Sequence, residues 1–201
     1  MTKVVNRVLD ILSERGLLLH NEPRHGNNRD EEPQKRSHRQ NVIDELVTSE
    51  RDYVQHLETL QQFKNQVEQI GAIPGDAVHD IFLNLNALLD FQRRFLIRIE
   101  QQNSLEEGSQ NWGQLFVQYQ DSFKVYEPFI ANQKRCNAIV CESWVKLKTA
   151  AISPAVQGMV ATESVLLGFL MKPFQRLTKY PMLLSVSLAA STVTAMRSVV
   201  Y

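Results

Sequence analysis

Lys172, Gln175, Arg176 and Lys179 fall at i, i+3, i+4 and i+7, so a helix would carry all four along one side while Phe174, Leu177 and Leu184 point elsewhere. A row of cationic and amide side chains of this kind does the chemistry of docking rather than of bond making. A plainer reading of the same row is a basic edge that snorkels from an ordinary amphipathic helix. Far upstream, Glu45, Ser49, Asp52 and His56 form a second polar stripe at i, i+4, i+7 and i+11, off the apolar seam of another long helical pattern. Glu45 is then exposed enough to touch a partner. Taken alone, it also reads as a solvated acid in the first turns of a helix, where the macrodipole favours it.

Covalent chemistry has no candidate in the sequence. The five His and two Cys residues form no ligand spacing, and neither a nucleophile elbow nor a Gly-rich phosphate loop is present. No catalytic residue, metal ligand or cofactor is expected. Cys136 and Cys141 lie five apart in a stretch that reads as helix; they fit neither a CxxC redox pair nor a zinc quartet, and reduced, structural thiols are expected. The formal net charge is zero, which removes any global bias toward nucleic acid or an anionic membrane and makes every charge argument local. Charges interrupt the N-terminal segment before an apolar run reaches signal-peptide length, and no stretch offers about 18 uninterrupted apolar residues. A soluble cytoplasmic chain without a transmembrane segment is the expectation.

The elements that must position the two stripes are helical almost throughout. With 201 residues and 43% of them apolar, the chain can bury a core as one or two domains. Residues 3–19 carry an amphipathic pattern ending near Gly16. His20 to Gln40 is polar, contains Pro23 and Pro33, and reads as a flexible linker with too little apolar surface to offset ordering entropy. From Asn41, the residues Ile43, Leu46, Tyr53, Leu57, Leu60, Val67 and Ile70 follow spacings of three and four, with Glu50 taking one seam position. That predicts a helix of about 30 residues and roughly 45 Å, ended by Gly71 and Pro74-Gly75, with Asp76 as the next N-cap. Further helices are predicted at about Ala77 to Gln102, Trp112 to Asn132, Lys134 to Lys148, and Val156 to Leu184 after the Ser153-Pro154 break. Strand alternation is nearly absent, and the fold class is an all-α, elongated helical bundle.

Val42-Ile-Asp-Glu-Leu-Val-Thr-Ser-Glu-Arg-Asp-Tyr-Val-Gln-His-Leu57 and Phe169-Leu-Met-Lys-Pro-Phe-Gln-Arg-Leu-Thr-Lys-Tyr-Pro-Met-Leu-Leu184 together resemble the first and third conserved regions of the Dbl-homology domain, the module of guanine-nucleotide exchange factors for Rho-family GTPases. The resemblance covers roughly residues 41–185. It implies a Rho-family small GTPase as partner, of the subclass that governs polarised growth, because the motif around Phe174 to Tyr180 resembles fungal polarity exchange factors. Glu45 keeps the family's spacing of eight residues before Tyr53, which with Ser49 implies a role on the switch I side. Lys179, in the family's Lys-Tyr pair, implies contact on the switch II side, together with Gln175 and Lys172. Ser49-Glu50-Arg51 stands where the family has a Thr-Glu-Arg-like signature. Glu50 sits on the seam, needs a buried partner, and is assigned to structure, paired with Arg176. Exchange by such a module makes and breaks no bond; nucleic acid is not implied, and recruitment to cortical polarity sites is.

The remaining segments depart from the family pattern. Residues 1–19 resemble at most the last helix of an upstream calponin-homology-like region. Ser185 to Tyr201 is rich in Ser, Thr, Val and Ala, with Arg197 its one charged residue, where the family continues through a long charged helix. The bundle is therefore expected to lack its last long helix, and 186–201 to form an atypical tail. Two further readings stand beside exchange: a helical scaffold or adaptor whose seams bind other helices, with scaffold partners engaged through residues outside the bundle, and a truncated, inactive regulator.

Overall fold

The computed structural model describes residues 38–183, together with Arg7, Asp10, Ile11 and Glu14, all four helical. The rest of the expected N-terminal helix, nearly all of the expected linker, Leu184 and the 186–201 tail lie outside the described residues. The elements are α1 (His38–Ile70), α2 (Gly75–Phe82), α3 (Leu85–Asn103), a 3-10 turn (Glu107–Ser109), α4 (Trp112–Tyr119), a second 3-10 segment (Gln120–Val125), α5 (Tyr126–Ala131), α6 (Gln133–Thr149), α7 (Pro154–Met159) and α8 (Glu163–Leu170). Residues 172–183 form a further helix, α9. Among the described residues there is no strand, and the architecture is an all-α bundle.

α1 is the axis. It begins at His38, inside the segment expected to be linker, and Gln40 donates to Asp44 at 3.0 Å, an i,i+4 pair that supports the first turn. Ile43, Leu46, Tyr53, Leu57, Leu60 and Val67 are buried as their spacing predicts. Ile70 is the exception and is half exposed, at 50%. Gly71 turns the chain at φ 65, a left-handed conformation suited to glycine. The Ala72 amide bonds back to the Val67 carbonyl at 3.2 Å, and Ile73 takes the buried place instead.

Where one long helix is predicted over 77–102, two occur. The chain breaks at Leu83, whose φ is 41, and the Asn84 side chain donates to the Val125 carbonyl at 2.8 Å. The break leaves Ile81, Phe82 and Leu85 all buried. Asp76 is not the cap of α2: it lies one residue inside the helix, with Pro74 at the cap position, and accepts from the Ala77 amide at 2.9 Å.

The predicted 112–132 helix is likewise interrupted, by the 3-10 segment before α5. A period near three stacks Phe123 above Tyr126, and both rings are buried. Phe123 meets Phe91 and Phe95 with ring centroids 5.1 and 5.2 Å apart, so the tighter winding serves the aromatic core.

The predicted 156–184 helix is three. Thr162 is extended, and its hydroxyl accepts from the Val165 amide at 3.2 Å as the N-cap of α8. α8 ends at Leu170, and Pro173 sits in the first turn of α9, where a residue without an N–H is tolerated. α1 packs along α3 and also meets α2, α7 and α8.

Candidate functional site

α9 lies on the first half of α1, and a buried carboxylate explains how it is held. Glu50 is fully buried at a position where an apolar side chain would ordinarily sit. The Arg176 Nε donates to Glu50 Oε2 at 2.9 Å, and its Nη2 approaches the same oxygen more closely. The remaining donors reach back along α1: Nη1 to Ser49 Oγ at 2.8 Å and Nη2 to the Leu46 carbonyl at 3.3 Å. The Tyr180 hydroxyl lies 2.9 and 3.0 Å from the two Glu50 oxygens. Gln92, from α3, donates to Glu50 Oε1 and to the Tyr180 hydroxyl, while its own carbonyl accepts from Tyr126 of α5 at 2.7 Å. Three elements, α1, α3 and α9, thus meet on one carboxylate, with α5 joined to it through Gln92, which makes a charge in the core tolerable.

Burial raises the Glu50 carboxyl above its ordinary range, and Arg176 and Tyr180 oppose that rise. For Arg176, burial acts to remove the proton, but Tyr180 and Glu50 outweigh it and the guanidinium stays cationic. Burial lifts the Tyr126 and Tyr180 hydroxyls well above their usual values, so both remain neutral donors. The Tyr180 ring packs against Phe116 and Phe123, with centroids 5.5 and 5.3 Å away. The pairing of Glu50 with Arg176, expected from the seam position, is present.

The predicted partner-facing residues are arranged around this anchor. Glu45, Gln175 and Lys179 are exposed, and Lys172 is half-buried. Ser49 is half-buried and commits its hydroxyl inside the chain, donating to the Leu46 carbonyl at 3.2 Å and accepting from Arg176. His56 stacks edge-on against Phe169 at 5.1 Å. Burial, then the Lys172 charge, lower its pKa, with Asp52 partly opposing. Arg176 therefore lies by Leu46 to Glu50 while Lys172, four residues earlier, lies by His56, so α9 runs antiparallel to α1. That register carries the later residues of α9 toward the Glu45 end of α1.

Sequence reasoning missed Gln92, placed Tyr126 in the core without a polar partner, and gave Tyr180 no structural role. Gln92 left a signal: it is an amide on the apolar face of α3, fully buried, as Glu50 is on α1. Cys136 and Cys141 are both free. Cys136 is buried, with its pKa raised by burial to about 12, whereas Cys141 is exposed on α6, where its thiol donates to Glu163 at 3.0 Å. The expectation of a structural thiol is therefore corrected for Cys141, whose outward position on α6 gives it no core to fill. Among the described residues no group of His, Cys, Asp and Glu could hold a metal ion, and no helix is long and apolar enough to cross a membrane.

The family model of the RhoGEF domain matches residues 42–193. The chain is 33% identical over 165 residues to Cell division control protein 24 of Saccharomyces cerevisiae, covering 80% of this chain and 19% of that protein. It is 34% identical over 144 residues to the Rho guanine nucleotide exchange factor scd1 of Schizosaccharomyces pombe, covering 72% and 16%. Human Rho guanine nucleotide exchange factor TIAM2 is 31% identical over 157 residues, covering 71% and 9%. A solved structure of the Vav1 exchange factor superposes with a TM-score of 0.60 at 18% identity, covering 79% of this chain and 48% of that one, which supports the all-α fold. The chain spans about a fifth or less of the length of these curated relatives.

Proposed function

The chain belongs to the RhoGEF (Dbl-homology) family, and from that premise we propose that it accelerates GDP release from a Rho-family small GTPase through the exposed face shared by α1 and α9. Such a GTPase holds its nucleotide through the phosphates and Mg²⁺, with its switch segments completing the site. A protein that binds the displaced switch arrangement more tightly than the nucleotide-bound one must weaken nucleotide binding by the same factor. In this reading Glu45, flanked by Ser49, engages switch I. Lys179 and Gln175, flanked by Lys172, engage switch II, whose displacement disturbs the Mg²⁺ site. Acceleration is differential binding, and no bond is made or cleaved.

The observation that carries the reading is the antiparallel seating of α9 on α1, fixed by Arg176 on Leu46, Ser49 and Glu50, which leaves Glu45, Gln175 and Lys179 exposed on adjoining helices. Similarity to the two fungal relatives favours the GTPase subclass that governs polarised growth, and a cytoplasmic chain recruited to the cell cortex. The test is release of fluorescent GDP from a panel of Rho-family GTPases. The wild-type chain is expected to accelerate release from at least one of them. Glu45→Ala and Lys179→Ala should each lower that acceleration by about tenfold or more, with little change in stability because both side chains are exposed. Unchanged rates in both variants would remove these residues from the mechanism.

A further inference from the structure

Tyr180 follows Lys179 directly and Arg176 follows Gln175 directly, so these two proposed contact residues on α9 each have as a neighbour a side chain buried on Glu50. We infer that Tyr180 and Arg176, converging on the Glu50 carboxylate, are positioning residues for nucleotide exchange: they fix the rotation and register of α9 on α1 that present Lys179 and Gln175 beside Glu45. This rests on the exchange reading above and deepens it.

The geometry sets the lock apart from ordinary packing. Apolar side chains can slide by one turn and find similar neighbours, since burial is nearly non-directional. A carboxylate that takes the Arg176 guanidinium, the Tyr180 hydroxyl and the Gln92 amide at once is satisfied in one arrangement. Any slip of α9 leaves a charge buried without its partners, and specifying register is the best-attested use of buried polar groups. Gln92 is in turn oriented by Tyr126 at 2.7 Å, so α3 and α5 also define where α9 sits. Ser49 contributes by accepting from Arg176 at 2.8 Å, which turns the guanidinium along α1 rather than out to solvent.

Tyr180→Phe in the full chain separates positioning from folding. The ring and its contacts with Phe116 and Phe123 remain, and Glu50 keeps Arg176 and Gln92. The expected result is a fall of about ten- to a hundredfold in GDP release at saturating chain, with the half-saturating concentration within about twofold and helical circular dichroism unchanged at the assay temperature. Because the hydroxyl acts through its neighbour, its removal from a Lys179→Ala chain should cost far less than from the wild type, a non-additivity that independent structural damage would not produce.

Should Tyr180→Phe fail to fold, Tyr126→Phe provides the same readout from a residue that reaches Glu50 only through Gln92. An unchanged rate, or fully additive losses, would overturn the inference while leaving the exchange reading intact. A wild-type chain that releases no GDP from any Rho-family GTPase would overturn both.

Discussion

Arg176 shows what one residue is asked to do in this bundle. It is 4% exposed, and its donors go to Glu50, Ser49 and the Leu46 carbonyl. Arg176→Ala would leave Glu50 buried with only neutral partners. The expected destabilisation is about 3–5 kcal/mol, measured by urea unfolding, whereas loss of an exposed pair such as Arg93 with Glu58 should cost under about 1 kcal/mol. His56 supplies the pH dependence. Its pKa is depressed in the folded chain, so the unfolded chain binds its proton more readily. That contribution to stability is present above the ordinary histidine pKa and is lost as pH falls through the folded value. Stability should decline on acidification from neutral pH, and His56→Gln should flatten that part of the profile in thermal unfolding across pH. Glu50 could be assigned from sequence because a carboxylate on an apolar seam demands a partner. Tyr126 could not, because periodicity assigns a residue to a face and says nothing of which hydroxyl the face delivers to which amide.

At the scale of elements, the periodic stripes found the helices, and tertiary contacts decided where they break. The seam of α1 was readable over most of its length, from Ile43 to Val67. The interruptions at Leu83, across 120–125, at Val160 to Thr162 and at Met171 were not. At the first two the backbone leaves the helix to satisfy something distant in sequence or to bury a ring: Asn84 on Val125, and Phe123 among the aromatic side chains of α3 and α4. Gln66 makes the same point between α1 and the turn before α7. Its side chain accepts from the Ile152 amide at 2.9 Å and donates to the Ser153 hydroxyl at 3.1 Å, so a residue near the end of α1 holds a turn far along the chain. Gln66→Ala should cost about 1 kcal/mol and, more tellingly, speed amide hydrogen exchange at Ile152 while leaving the core of α3 protected. Equal acceleration at both places would mean that the turn opens only with the whole bundle.

For the whole molecule, a net charge of zero means that a partner is not drawn in by a global field, and recognition must come from the local face. The proposed face mixes an acid from α1 with cations from α9, so the way it binds can distinguish an exchange factor from a helical adaptor. An adaptor that grips a GTPase surface regardless of nucleotide holds the loaded and empty forms alike. A protein that works by differential binding cannot, since preference for the empty form by some factor requires GDP to weaken the complex by that same factor. Coupling of a hundredfold corresponds to about 2.7 kcal/mol. Rho-family GTPase captured on the immobilised chain after chelation of Mg²⁺ should therefore be released when GDP and Mg²⁺ are returned. On the proposed mechanism the capture should also be weaker for Lys179→Ala, whose lysine is assigned to the displaced switch arrangement. Retention that ignores added nucleotide would favour the adaptor, and would do so without any assumption about which surface of the bundle is used.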